Sequence, residues 1–404
     1  MARTSDSKSA GVAGTNLEFS KKFNRRAVIE TIRLHGSLPR AEIARLTSLT
    51  AQAIGNIVAE LQEAGFLLAA DPVRGGRGQP ATPMSINPDG AYSIGLQLDH
   101  RVLIAVMVDL AGKVRARAEL PVDRPTPEQA LPLILRLVRT LRKNNSINWR
   151  RVLGIGLATP GPLGGEVARF FGADHLPGWD DLSILDEIKE KLELQVLVEN
   201  DANAAAIGER LYGVARTLQS YVYLFVGIGL GAGLFLNGSL YRGSGQNAGE
   251  IGHMVVVPGG RPCMCSNHGC LERYLSLRAA YEAIGVPDPD LVRPDVLLDP
   301  SPAVAGAVER WLDEAAEPLR RAINILESVI DAETIVIGGF TPPAIIERLV
   351  ARLEPLPVSV RARSGRQGPR LLIGAAGYDT AALGAAALPI FDEFNPQFDV
   401  LLKG

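Results

Sequence analysis

QVLVENDANAAAIGERL, residues 195–211, changes character half-way along. Gln195–Glu199 is a short apolar run that reads as a strand, and Ala202–Leu211 reads as a helix. The polar run Glu199-Asn200-Asp201-Ala202-Asn203 falls at their junction. A strand that feeds a helix is the unit of an α/β fold, and ligands gather at the carboxyl ends of such strands. An Asp there can accept a proton from a hydroxyl group. Asn and Asp also cap helices, so this turn alone is compatible with either role.

On the amino-terminal side, Ile94–Leu98, Val102–Val108 and Val114–Leu120 read as consecutive strands of a meander. Glu128–Leu141 follows as a helix and Val152–Leu157 as a strand. On the carboxyl side the order begins again. Tyr221–Val226, Ala232–Leu236 and Met254–Val257 read as strands, Val304–Ser328 as helical, and Thr334–Ile337 as a strand. Pro287–Pro302, with five prolines, reads as a loop between helices. The repeated order predicts two similar α/β lobes with a cleft between them. Gly227-Ile228-Gly229-Leu230-Gly231-Ala232-Gly233 suits either a backbone cradle for phosphate or a tight hairpin, which asks for the same residues.

The only three cysteines, Cys263, Cys265 and Cys270, sit in one C-x-C-x4-C cluster shortly after His253. Three thiolates and an imidazole complete a tetrahedral set for structural zinc. A cytosolic chain with so few cysteines in one place is better suited to metal than to disulfides. Glu250, His253 and Glu272 flank the cluster, where a metal would brace them as ligand-gripping groups.

Ahead of the body, residues 20–85 carry nine Lys/Arg against five Asp/Glu, a net of +4 in a chain whose total is −2. Residues 1–19 balance, so residues 86–404 carry −6. A basic head on an acidic body suits nucleic-acid contact by the head. Ser20–His35 has helical spacing, Pro39 suits the first turn of a helix over Arg40–Leu46, and Thr50 suits the cap of a third helix ending near Ala64-Gly65. Phe66–Leu68 and Pro83–Ile86 read as strands around a Gly-Arg-Gly stretch. Together these predict a winged helix-turn-helix over 20–88, after a tail at 1–19 and before a body at 89–404. Thr50, Gln52 and Asn56 would face the major groove, Gln and Asn being suited to adenine. Arg40 and Arg45, with Lys21 and Arg25, would meet phosphates, and Arg77 a minor groove. The opening residues lack the apolar core of a signal peptide, and no apolar run is long enough to span a bilayer. The expected location is the cytoplasm, without membrane contact.

From about residue 20 onward the chain resembles the ROK family of repressors and sugar kinases. The resemblance rests on Ala158-Thr159-Pro160-Gly161-Pro162, Glu199–Asn203, the glycines at 227–233, Gly249-Glu250-Ile251-Gly252-His253 and Cys263-x-Cys265-x4-Cys270-x-Glu272. It implies an actin-like (ribonuclease H-like), two-lobed sugar-kinase fold behind the winged head. It also implies zinc on His253, Cys263, Cys265 and Cys270, and a sugar site of Asn200, Asp201, Glu250, His253 and Glu272.

Kinases of this family open the body with Asp-x-Gly-Gly-Thr around the ATP phosphates. Here Gln97, Asp99, His100 and Arg101 stand in that stretch. A carboxylate and bulky side chains would repel a polyphosphate where backbone must approach it. Asp201, the base if the chain were a kinase, is retained, while His175 stands where the kinases favour Asn. Trp179 suits either sugar stacking or the core. The resemblance therefore implies a dimeric or tetrameric, sugar-responsive regulator acting on operator DNA. The alternatives are an ATP-dependent sugar kinase with a DNA-binding head, and a sensor of a protein partner.

Overall fold

Helix α1 (Leu17–His35) forms because Val28, Ile29 and Ile32 recur on one face, and that face is buried. Helices α2 (Arg40–Thr47) and α3 (Ala51–Glu63) follow, burying Ile43 on the one and Ile54, Ile57, Val58 and Leu61 on the other. The bend between them turns on Ser48, whose φ of 56° lies in the left-handed region. Thr50 caps α3 by accepting the Ala53 N–H at 3.2 Å. Pro39 is extended and precedes α2 instead of entering its first turn. It belongs to strand β1 (Leu38–Pro39), which joins β2 (Leu67–Ala69) and β3 (Pro83–Ile86) in the order β1-β3-β2. These elements form one compact unit together with the segment from Asp392. There Arg26 donates to the carbonyls of Asp392 and Asn395, at 2.7 and 3.2 Å, and Phe394 meets Phe66 edge-on.

The computed structural model describes residues 17–70, 82–143, 147–161, 176–179, 183–286, 293–360, 368–375 and 377–396. Arg77 and His175 lie outside them.

Residues 88–391 form the second unit. Its first sheet holds β4 (Tyr92–Leu98), β5 (Val102–Asp109), β6 (Val114–Pro121), β7 (Val152–Thr159) and β8 (Val196–Asn200), in the order β6-β5-β4-β7-β8. The second holds β9 (Tyr221–Val226), β10 (Leu230–Leu236), β11 (Ser239–Leu240), β12 (Thr334–Gly338) and β13 (Leu371–Ile373), in the order β11-β10-β9-β12-β13. Each sheet is an antiparallel meander of three strands extended by two parallel ones. The repeated order of elements is therefore a repeated topology. One strand differs from expectation: Met254–Val257 makes only a single bridge, Val255 to Cys270, and the third strand of the second meander is β11. That segment bonds instead to the chain beside Cys270, with the Val256 and Val257 N–H groups on the Gly269 carbonyl at 3.0 and 3.1 Å.

Helices α4 (Pro127–Arg142) and α5 (Ile184–Leu192) cover one face of the first sheet, with Ile134, Leu137, Val138, Leu141 and Ile188 in a common core. Trp179 lies in the same core, 1% exposed, its indole N–H on the Pro125 carbonyl at 2.9 Å. It is a core side chain, not a platform for a ligand. The other face carries α10 (Thr380–Phe394) so closely that a Cβ at Gly95 would lie 1.9 Å from the Ala382 carbonyl. Helix α6 (Asp201–Leu211) leaves β8 of the first sheet and packs on β10 of the second, where a Cβ at Gly233 would meet the Ala202 carbonyl at 2.6 Å. Helices α7 (Leu277–Ala283), α8 (Pro302–Ile330) and α9 (Pro343–Ala351) complete this unit among the described residues. No described helix is long and apolar enough to cross a membrane.

Candidate effector and metal site

Strand β8 delivers Glu199 and Asn200 to the edge of the cleft, and α6 begins at Asp201. Asn200 Oδ1 accepts the N–H groups of Ala202 and Asn203 at 2.9 and 3.3 Å, so the turn does cap the helix. The cap uses the amide oxygen of Asn200. Asp201 accepts the Ala202 N–H at 2.8 Å. Asn200, Asp201, Glu250, His253 and Glu272 all line one cavity of about 140 Å³. The glycine stretch reaches the same cavity as the tight hairpin joining β9 to β10, in which Gly227 N–H bonds the Gly229 carbonyl at 3.0 Å.

Carboxylates crowd this space. Burial, together with the charges of Asp99 and Glu250, pushes the Asp201 carboxyl up to about 7. Burial and the neighbouring Glu272 raise Glu250 as well. Asp99 and His100 form the tight turn between β4 and β5, where Asp99 N–H bonds the Val102 carbonyl at 3.0 Å. Both side chains line the cavity beside Asp201, while Gln97 is buried within β4 and Arg101 pairs with Asp123 at 2.8 Å. Two groups that sequence reasoning passed over also reach this space. Glu199 and Arg242 meet across the cavity wall at 2.6 Å.

The metal candidates converge beside it. One donor atom each from His253, Cys263, Cys265 and Cys270 lies within 4.8 Å of every other. His253 Nδ1 is 3.6 Å from Cys263 Sγ, and Cys265 Sγ is 3.5 Å from Cys270 Sγ. Tetrahedral ligands about 2.3 Å from one ion stand roughly 3.8 Å apart, so this set is a size that closes on a metal. Burial pushes the Cys263 thiol up and Cys270 to about 11. Burial also opposes a Cys265 thiolate, but the Asn267 N–H and the two neighbouring thiols outweigh it and bring Cys265 to about 7. Glu272 joins the two sites: its Oε1 accepts from Cys263 Sγ at 2.9 Å and lies 3.4 Å from His253 Nδ1.

In the smaller unit, Thr50, Gln52 and Asn56 are exposed on the first turns of α3, with the Thr50 hydroxyl committed to its cap. Gln52 and Asn56 are four residues apart and share a helix face. Arg40 and Arg45 are exposed and hold acceptors of their own, Gln62 at 3.0 Å and Glu42 at 3.0 Å. Lys21 pairs with Glu60 at 2.9 Å, and Arg25 lies over the Phe66 ring.

The model of the ROK family matches residues 94–390. The chain belongs to the ROK family. Among its relatives is the xylose repressor of Caldicellulosiruptor bescii, 27% identical over 79% of this chain and 83% of that one. The DNA-binding transcriptional dual regulator NagC of Escherichia coli is 25% identical over 66% of this chain and 65% of its own length. Among solved structures, a ROK family transcriptional regulator described as a homologue of the E. coli MLC protein superposes with a TM-score of 0.71 at 23% identity, over 96% of this chain and all of that one. A ROK hexokinase from Thermus thermophilus gives 0.56 at 28% identity, over 74% of this chain and 99% of its own. The fold is thus the actin-like, two-lobed ROK architecture, with a helical head consistent with DNA binding. The His/Cys cluster can hold a metal.

Proposed function

We propose that this ROK protein is a sugar-responsive, DNA-binding transcriptional repressor of carbohydrate-metabolism genes. The observation that carries the reading is the convergence of Asn200, Asp201, Glu250, His253 and Glu272 on one cavity. Carboxylates, an amide and an imidazole give fixed acceptors and donors for sugar hydroxyls, and such a site rejects analogues that lack one. His253, Cys263, Cys265 and Cys270 would hold a structural zinc that stiffens this wall. Residues 20–88 would form the DNA-binding head and 89–404 the sugar-binding part. Gln52 and Asn56 would read bases, while Arg40, Arg45 and Arg77 contact the backbone or minor groove. Two heads of a dimer, or of a tetramer, would meet a twofold operator. The names of the relatives, xylose repressor and NagC regulator, support this reading over a kinase.

Asp99 and His100 occupy the end of the cavity beside Asp201, and a carboxylate there opposes a polyphosphate. We therefore place the protein outside ATP-dependent catalysis. The kinase reading keeps the support of a carboxyl held near neutral pH at Asp201, as a general base requires, and of the likeness to a ROK hexokinase. A thermal-shift screen against unphosphorylated sugars, D-xylose, D-glucose and N-acetylglucosamine among them, separates the readings. A ligand at 100 times its dissociation constant adds about 2.7 kcal/mol of stability. A hit that Asp201→Ala abolishes, and that changes operator affinity without ATP turnover, supports the repressor. Turnover of ATP with the same sugar would replace it by the kinase, and a blank screen would point to a protein partner.

A further inference from the structure

Two lobes contribute to the cavity, and one ion pair joins them at its wall. Glu199 is the next-to-last residue of β8 in the first sheet, and Arg242 follows β11 in the second. Glu199 Oε2 accepts Arg242 Nε at 2.9 Å and Nη2 at 2.6 Å. Its Oε1 accepts the Asn200 backbone N–H and the Asn203 side-chain Nδ2, both at 3.0 Å. Glu199 is buried, and four N–H groups satisfy its carboxylate. A buried ion with every lone pair engaged holds its partners in a single geometry, because releasing any one of them strands charge. On the first lobe those partners are the turn that carries Asn200 and Asp201.

Arg242 is exposed, and on the second lobe it is fastened through its backbone. Its carbonyl accepts the Ala248 N–H at 3.0 Å, closing the loop that leads into Gly249 and Glu250. The Gly249 carbonyl is itself fastened to Ala232 N–H of β10 at 2.8 Å. The side chain of Arg242 thus grips the Asn200–Asp201 turn while its backbone sets the approach to Glu250. Guanidinium is suited to this task, since its planar fork bonds one carboxylate through two N–H groups.

We propose that Glu199 and Arg242 are the positioning pair of the effector site, tying the ligand groups of the first lobe to Glu250 on the second so that the cleft is set for sugar as one piece. The proposal rests on the sugar-binding reading above. The pair acts through Asn200, Asp201 and Glu250, and its role is to keep them in register.

The test uses the full-length protein with D-xylose, D-glucose and N-acetylglucosamine as probes, and hydrogen exchange as a readout that needs no ligand. Arg242→Gln and Glu199→Gln should each weaken the probe that binds by tenfold or more, and the double variant should be no weaker than the poorer single one. Arg242→Lys, which keeps the charge and loses the fork, should recover part of the affinity. Without any probe, amides of residues 200–203 and 248–251 should exchange faster in Arg242→Gln. Unchanged affinity in Arg242→Gln, or losses that simply add in the double variant, would overturn the pair. If no probe binds the unaltered protein, the sugar reading fails on its own, and exchange alone decides: unchanged protection in Arg242→Gln overturns the pair as well. Arg242 is exposed, so these arms stand even where Glu199→Gln fails to fold.

Discussion

Asp201→Asn should make the folded protein more stable at pH 8 while removing its response to sugar. Burial and the charges of Asp99 and Glu250 hold the Asp201 carboxyl near 7 instead of its ordinary 3.8. At about 1.4 kcal/mol for each tenfold change in an equilibrium, keeping that carboxylate ionised has a ceiling cost of about 4 kcal/mol. Cleft water lowers the cost, so a gain of about 2 kcal/mol is the working figure. An asparagine fits the same space, and its amide oxygen can keep the Ala202 N–H now held at 2.8 Å. The sign follows from linkage. Because the folded value is the higher one, protonation favours the native state below 3.8, and that benefit drains away as pH rises to 7. The variant should therefore come nearest to the parent near pH 4, where the folded carboxyl is neutral, and exceed it increasingly up to about pH 7. Urea unfolding of both proteins at several pH values from 4 to 8 measures this, provided the slopes agree. A variant equal to or weaker than the parent at pH 8 would refute the electrostatic account of the cleft.

Replacing Cys270 by Ser should lower the melting temperature and release bound metal, and EDTA should do the same to the parent, as read by metal analysis and calorimetry. Gln52→Ala and Asn56→Ala should each weaken a cognate operator by about 1–3 kcal/mol with little change on unrelated DNA, measured by fluorescence anisotropy at fixed salt. An equal loss on both DNAs would remove them from base reading. Ser48→Gly should stabilise the head by roughly 0.5–1 kcal/mol, because Ser48 is held at a φ of 56° that glycine adopts freely. Chemical denaturation would show no gain if the serine's own contacts matter more.

The architecture was legible where the period of apolar residues was clean. Tyr221–Val226 is uniformly buried, and the sequence marks its ends to the residue. The doubled order of strands and helices foretold two similar lobes, and each holds one five-stranded sheet. Other features resisted, among them strand β13 (Leu371–Ile373) and the helix over Thr380–Phe394. Strand β11 is two residues long, too short for any period, while Met254–Val257 has a strand's composition but is bound into the cysteine loop. Strand β1 is likewise only two residues, and Pro39 suited a helix start as well as the edge strand it occupies. The segment from Asp392 meets Arg26 and Phe66 across more than 300 residues of sequence, a contact that no local pattern announces.

The site was legible in proportion to how far each motif carried its own chemistry. The cysteine spacing needs only a metal to explain it, and its donor atoms do converge. Asn200 and Asp201 were named as ligands, yet the neighbouring Glu199 was passed over, because a carboxylate at a strand end says nothing by itself about where its partner lies. That partner, Arg242, is one arginine among many and carries no motif. Only the fold makes the two adjacent, by placing the end of β8 opposite the chain that leaves β11. Motif residues were therefore visible as candidate ligand groups, while the pair beside them became visible only in the folded chain. The same logic applies to Asp99 and His100. As letters they are a broken phosphate loop, but in the fold they form a tight turn whose side chains share the cavity with Asp201. Asp99 is one of the charges that raise the Asp201 carboxyl. The residues at this turn thus also set the charge of the cavity, a physical consequence that their letters alone do not announce.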